Sequence, residues 1–265
     1  MTTPARGAGV AGALLEDLPW PDVAQRFADD PVVVVPLGAV AKEHGPHLPL
    51  KTDSVIARAL AQALVERLPV LAAPVVGFGY YPAFRHYPGS QHLSPETFAA
   101  LVAEILEGYV DQGVRRLAVI NTGVSTEAPL QVAVRELYER RRVRVAVADI
   151  SRFARAGDAG LEQELGGHGD ELETSLMLAI EPGSVHLERA TPDYGHQLGA
   201  AATVYYRPAI FDPDASSGID YSATGVRGDP TLATAEKGRR AFRAMAGRLA
   251  DDLVMLFPDL GDGNA

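Results

Sequence analysis

The sequence contains no cysteine among its 265 residues. The chain therefore forms no disulfide and has no thiolate nucleophile, and a metal site in it must use nitrogen and oxygen ligands. Positive charge is also scarce, since 24 Lys and Arg residues against 34 Asp and Glu residues give a formal net charge of -10 at pH 7. This balance argues against a nucleic-acid groove or an anionic membrane surface as partner.

Long apolar runs are absent as well. No uninterrupted stretch approaches the length of a transmembrane helix, and residues 1–9 lack the apolar core of a signal peptide. We therefore expect a cytoplasmic protein whose partner is a small molecule, with no nucleic acid and no membrane involved.

Strand and helix signals alternate along most of the chain. Apolar runs predict four strands, at residues 32–36, 70–76, 116–121 and 143–149. Apolar periodicity and capping signals predict six helices, at residues 20–28, 53–68, 95–111, 127–141, about 170–180, and 231–257. Because helices separate the strands, we expect parallel pairing with right-handed crossovers and a sheet covered on both faces.

A single domain over residues 1–265 accounts for this pattern, because no linker, repeat or low-complexity tract interrupts it. Residues 182–230 are rich in Gly, Pro, Asp and Ser, and we expect a loop-rich excursion with one short strand near residues 203–206. The helix at 231–257 then closes the fold. Ligands bind at the carboxyl ends of the strands in open parallel sheets, so we expect the site on the loops that follow the strands.

The loop after the first strand, residues 36–53, is dense in side chains that can bind a metal. It holds Glu43, His44, His47 and Asp53 in one segment that prolines and a glycine stiffen. Carboxylates and imidazoles are ligands for Zn²⁺, Mn²⁺ or Fe²⁺. The alternative is a loop whose polar groups only satisfy its own backbone, but four such groups on one rigid loop favour a metal site.

A second cluster lies where the chain enters the helix predicted near residue 170. Asp170 and Glu171 suit a first helical turn, because the helix dipole favours acidic residues there. Glu173 lies where the helix becomes apolar, and a carboxylate at that depth needs a partner such as a metal, a histidine or a bound substrate. His168, just before the helix, is the other functional candidate in this segment.

Two further loops are candidates for substrate contact. Residues 77–92 combine aromatic side chains with Gly and Pro, which suits either the wall of a ligand pocket or a contact between subunits. Residues 121–126 join a strand to a helix and offer an anion or carbonyl site, or an ordinary capping turn. From these loops we select Tyr81, Asn121 and Ser125 as candidate substrate-binding residues.

These segments resemble the creatininase (creatinine amidohydrolase) family. Residues 44–53 match its first motif position for position, and residues 168–175 correspond to its later H-A-G-x-x-E-T-S motif. The resemblance covers roughly residues 31–180 and implies a three-layer α/β/α fold with a mainly parallel sheet. It also implies metal-dependent hydrolysis of C–N bonds in cyclic or linear amides, and a homo-oligomer, often a hexamer.

The sequence departs from the family at metal-binding positions, as a divergent member would. Lys42 stands where the family has a metal-binding Glu, and Glu43 lies beside it in a loop that is longer by one residue. Residues 121–126 correspond to the family's N-G-H-x-(E/G)-N motif but have neither the His nor an acid. A complete two-metal centre is therefore not expected.

The resemblance instead implies a hydrolase that acts with one divalent ion, Zn, Mn or Fe, on a C–N bond of a small amide, lactam or cyclic amidine. The residues assigned to this chemistry are the metal ligands Glu43, His44 and Asp53 and the proton-transfer residues His168 and Glu173. Two alternatives stay open. One is a metal-free family member that uses the same pocket for cyclisation or isomerisation, and the other is a small-molecule binding protein with a vestigial site.

Overall fold

The computed structural model describes residues 11–156, 160–163, 165–195 and 210–261. The described residues form five strands, namely β1 (Ala13–Leu14), β2 (Val32–Leu37), β3 (Leu71–Ala72), β4 (Arg116–Asn121) and β5 (Val145–Asp149). They also form seven α-helices, namely α1 (Trp20–Ala28), α2 (Thr52–Val65), α3 (Pro95–Asp111), α4 (Glu127–Arg141), α5 (Ile150–Phe153), α6 (Glu171–Ile180) and α7 (Ala235–Leu256). The strand predicted near residues 203–206 lies outside the described residues.

All five strands are parallel and lie in the order β1-β3-β2-β4-β5. The central strand β2 pairs with β4 from Val32 opposite Arg116 to Leu37 opposite Asn121. Asn121 in turn lies opposite Asp149 of β5, so three strands end side by side at one edge of the sheet. The loops that leave this edge carry most of the candidate site residues.

Side chains of β2 alternate between two apolar cores, as the pleat of a strand requires. Val32 and Val34 pack on one face with α2, α6 and α7. Val33 and Val35 pack on the other face with α3 and α4. Helices therefore cover both faces, which confirms the predicted three-layer α/β/α fold. It also explains why the strand is apolar at successive positions.

Local signals set several element boundaries as predicted. The bounds of α1, α3, α4 and β4 agree with the prediction, and the Ser94 side chain caps α3 by accepting the Thr97 N–H at 3.2 Å. The strand predicted at 70–76 is much shorter, since regular pairing is limited to Leu71–Ala72 and Pro74 has no N–H to continue the ladder. Val76 makes one further, isolated bridge to Leu37. Strand β1 and the short helix α5 were not predicted.

The closing helix is shorter than predicted at its start. Thr234 accepts the Lys237 N–H at 3.2 Å and caps α7, while Pro230–Leu232 form a separate 3-10 turn. Within the described parts of the chain, no helix combines the length and apolar character needed to cross a membrane. The assignment of residues 1–265 to a single domain stays a prediction.

Candidate functional site

The loop between β2 and α2 makes a sharp turn at Gly45. Gly45 has a φ of 81°, a conformation that favours glycine, and a Cβ there would lie 2.8 Å from the His47 ring. His47 is fully buried, and its Nε2 lies 2.8 Å from the Thr174 hydroxyl oxygen on α6. Burial is the main cause that lowers the pKa of His47 to about 4, so this ring is neutral at pH 7 and joins the loop to α6.

Asp53, at the start of α2, is buried between two groups that carry or can carry positive charge. Its Oδ1 lies 2.9 Å from His44 Nε2, and its Oδ2 lies 2.6 Å from Lys42 Nζ. Burial by itself would raise the pKa of Asp53. The Lys42 ammonium and the His44 imidazole outweigh that effect and hold this pKa well below its usual range. Asp53 is therefore a carboxylate at any pH near neutrality.

The ring of His44 has an acceptor at each nitrogen. Its Nδ1 lies 2.9 Å from the Lys42 carbonyl oxygen, which can only accept, so Nδ1 carries a proton. Its Nε2 faces the ionised Asp53 carboxylate at 2.9 Å. Both groups that face the ring nitrogens are oxygen atoms, which attract a cation. The surroundings of His44 thus suit a cation.

His168 is oriented by Glu43, 125 positions earlier in the chain. The His168 Nε2–H donates to the Glu43 carbonyl oxygen at 2.8 Å and lies 3.1 Å from Glu43 Oε2. Burial acts to raise the pKa of Glu43. The hydrogen bond from His168 and that from the Gly45 N–H more than offset this effect, and the pKa is lowered. With Nε2 held in this way, Nδ1 of the His168 ring points toward Glu173 Oε2, 4.0 Å away.

Glu173 lies in the first turn of α6, which Asp170 caps by accepting the Glu173 N–H at 3.0 Å. The carboxyl Oε2 of Glu173 accepts the Gly169 N–H at 2.6 Å. Burial is the main cause that raises the pKa of Glu173 to about 7, with a smaller contribution from Asp53. The Glu173 side chain can therefore hold or release a proton near neutral pH.

Three of the candidate residues converge on one point. One ligand atom each from His44, His168 and Glu173 can be chosen so that all three lie within 4.8 Å of one another. Two imidazoles and a carboxylate match the donor preference of Zn²⁺ and Mn²⁺. We call these residues the His44–His168–Glu173 cluster, and its donors fit a divalent metal ion.

This cluster differs from the predicted ligand set of Glu43, His44 and Asp53. Only His44 is common to both, because the Glu43 carboxylate is directed at His168 and Gly45 and the Asp53 carboxylate contacts Lys42 as well as His44. The metal-binding roles of Glu43 and Asp53 stay predictions. His168 and Glu173, which we assigned to proton transfer, belong to the cluster whose atoms could hold a metal ion.

An aromatic wall covers one side of the cluster. The Phe84 ring stacks on the His168 ring with centroids 4.0 Å apart, and Phe211 stacks on Phe84 at 4.9 Å. The Arg227 guanidinium lies over Phe211, 4.2 Å from its centroid. Phe84 belongs to the loop 77–92, for which a pocket wall and a subunit contact were the two interpretations. Phe211 had no signal in the sequence, because it reaches the site only through the tertiary fold.

The candidate substrate residues occupy different settings. Tyr81 is buried, and burial, with help from the Asp53 charge, raises the pKa of its hydroxyl, which stays protonated. The Asn121 amide donates to Asp149 Oδ1 at 3.0 Å and accepts from the Thr126 hydroxyl at 2.6 Å, so it organises the loop after β4. Ser125 is half-buried on that same loop. Substrate contact by these residues stays a prediction.

A three-layer α/β/α fold with buried imidazoles and a carboxylate at the carboxyl edge of its sheet is a framework suited to metal-dependent hydrolysis. The chain belongs to the creatininase family, because the family described as creatinine amidohydrolase matches it over residues 16–253. It is therefore an enzyme of the amidohydrolase type. This finding confirms the family resemblance found in the motifs.

Named relatives of this chain act on chemically different substrates. It is 32% identical over 242 residues to the mycofactocin precursor peptide peptidase of Mycobacterium tuberculosis, covering 87% of this chain and 86% of the relative. It is 24% identical over 270 residues to the 3-dehydro-scyllo-inosose hydrolase of Thermotoga maritima, covering 93% and 85%. It is 26% identical over 264 residues to the creatinine amidohydrolase of Pseudomonas putida, covering 91% and 96%.

Solved creatininase structures have the same fold. The manganese form of creatininase aligns with a TM-score of 0.74 at 25% identity, covering 92% of this chain and 98% of that one. A mutant creatininase of the Zn–Zn type aligns equally well, with the same TM-score, identity and coverage. The family thus includes enzymes that hold manganese or zinc.

Proposed function

We propose that this protein hydrolyses a C–N bond of a small amide, lactam or cyclic amidine, using one divalent metal ion at the His44–His168–Glu173 cluster. The observation that carries the proposal is the convergence of their ligand atoms within 4.8 Å. The two buried imidazoles keep their orientation through other protein groups, Lys42 and Glu43. Such support around ligands is typical of functional metal sites.

A bound Zn or Mn ion would lower the pKa of water and polarise a carbonyl oxygen. The chain itself orients the ligands and shields the site. Glu43 holds His168 Nε2–H, which leaves Nδ1 to face the site, and Phe84 fixes the plane of the ring and excludes water from that side. Glu173 supplies the third donor of the cluster, and it would bind the metal as a deprotonated carboxylate.

The names of the relatives imply substrates of different size, from a precursor peptide to creatinine. The aromatic wall favours a small substrate for this protein. Phe84, Phe211 and Tyr81 are buried in one apolar cluster, and the Phe84 ring stacks on the His168 ring. We therefore expect hydrolysis of lactams or cyclic amidines in a substrate panel that also includes short peptides. Cleavage of peptides alone would contradict this choice of substrate.

Metal content gives the direct test of the proposal. Protein purified without chelator should contain about one equivalent of Zn, Mn or Fe by elemental analysis, and His168→Asn should lose it. His186→Asn is the matched control, because the His186 side chain is half-exposed and contacts only Glu188 among the ion pairs described. Absence of metal after incubation with Zn²⁺ and Mn²⁺, or full metal content in His168→Asn, would refute it.

We also propose that the protein forms a cytoplasmic homo-oligomer. Helix α1 supports self-association, because none of its residues is buried although one face of it is apolar, and Trp20 is 80% exposed. Light scattering at micromolar concentration should give a mass that is a multiple of the 28.1 kDa chain. A monomer mass would refute the proposed assembly.

A further inference from the structure

The carboxylate of Asp53 has a positively charged side chain fixed against it. Lys42 Nζ lies 2.6 Å from Asp53 Oδ2, and the two side chains are 6% and 1% exposed. On its other oxygen the same carboxylate meets His44 Nε2 at 2.9 Å. Asp53 is therefore adjacent to the His44–His168–Glu173 cluster. Its Oδ2, the oxygen that does not contact His44, is already paired with the Lys42 ammonium group.

Contacts to the backbone of Lys42 and to its ammonium group hold this residue in place at both ends. Its backbone N–H donates to the Leu50 carbonyl at 3.0 Å, and its carbonyl oxygen accepts the His44 Nδ1–H at 2.9 Å. The ammonium lies 5.3 Å from the centroid of the Phe84 ring and 5.4 Å from that of Tyr81. Aromatic faces at this distance attract a cation, so the surroundings of the amine favour the charged group where it stands.

A buried cation at this position changes how many metal ions the site can hold. Carboxylates with a free oxygen in such a cluster attract divalent ions, whereas a fixed ammonium beside the oxygen repels them. We propose that the ammonium of Lys42 takes the place of a metal ion at Asp53. In terms of the proposed function, on which this inference partly rests, Lys42 limits the centre to the single ion at the His44–His168–Glu173 cluster.

Counting metal ions in Lys42 variants tests this inference. In Lys42→Leu the Asp53 carboxylate loses its partner, and the variant should bind one metal ion more per chain than the wild type when titrated with Mn²⁺. Lys42→Arg keeps the positive charge and should bind the same number as the wild type. Lys51→Leu is the matched control, because Lys51 lies on the same loop with its side chain 49% exposed. An unchanged count in Lys42→Leu, or an extra ion in Lys42→Arg, would overturn the inference.

Two measurements keep the test decisive if Lys42→Leu folds poorly. The double variant Lys42→Leu/Asp53→Asn removes both charges, and it should fold and bind no extra ion. In the wild type, electron paramagnetic resonance at excess Mn²⁺ should show only uncoupled ions, and a spin-coupled pair would contradict the inference. A wild type without metal, together with one ion in Lys42→Leu, would refute the proposed function but support the role of Lys42.

Discussion

Replacement of Asp53 by asparagine should destabilise the protein strongly, because the carboxylate is the counter-charge for a buried ammonium. At a separation of 2.6 Å from Lys42 Nζ, the attraction amounts to about 6 kcal/mol at an effective dielectric constant of about 20. Desolvation of the buried charges offsets much of this attraction. Removal of one member of a buried ion pair costs about 3–5 kcal/mol in practice.

We therefore expect Asp53→Asn to lower the free energy of unfolding by about 3–5 kcal/mol. For a chain of this size that corresponds to a fall in Tm of roughly 6–20 °C. Urea and thermal unfolding in the presence of a chelator measure the loss without a contribution from metal binding. Glu96→Gln is the matched control, because Glu96 is an exposed acid in the first turn of α3, and its loss should change stability by less than about 0.5 kcal/mol.

A double-mutant cycle identifies the source of the Asp53 effect. If the loss comes from the stranded ammonium, Lys42→Leu in the Asp53→Asn background should recover about 2–3 kcal/mol of it, within the range measured for residues in contact. The alternative for Asp53 is a role in capping α2, which asparagine would fulfil nearly as well. Wild-type stability in Asp53→Asn would refute the assignment of Asp53 to a buried ion pair.

Two other carboxylates lead to further predictions. Burial raises the pKa of Glu173 from 4.5 to about 7, so folding favours its protonated form and this group costs stability as the pH rises from about 4.5 to 7. In the presence of a chelator, the free energy of unfolding of Glu173→Gln should exceed that of the wild type by roughly 3 kcal/mol at pH 8 and equal it at pH 4. Equal urea midpoints of the two proteins at pH 8 would contradict this expectation. Glu43→Gln should weaken Zn²⁺ binding about 10–100-fold, because it removes the anion that orients His168. Competition with a chelating dye measures the affinity, with exposed Glu66→Gln as control, and an unchanged affinity in Glu43→Gln would argue against that role.

Sequence signals succeeded where neighbouring residues decide the structure. Ser94 and Pro95 mark the start of α3 by capping, and the structure places the helix there. The prediction of a strand at 70–76 was too long, because an apolar run does not report where pairing stops and Pro74 interrupts the ladder. Apolar patterning therefore predicted the layers of the fold better than the extent of each strand.

The donor types of the site were also visible in the sequence, while their partners were not. The motifs contain His44, His168 and Glu173, and the residue types alone predict a site for a divalent ion. Which side chains face one another depends on contacts such as that between Glu43 and His168, which are 125 positions apart. No local pattern encodes a contact at that separation.

By itself, then, the sequence determined the parallel α/β architecture, the nitrogen and oxygen donors, and the loops that carry them, because each depends on residue type and short-range spacing. The tertiary structure alone decided that Glu43 faces His168, that Phe211 joins the wall, and that the Lys42 ammonium lies against Asp53. The physical reason is that burial and convergence of charge arise only when distant segments pack together, and those two conditions set which groups are charged and which can hold a metal.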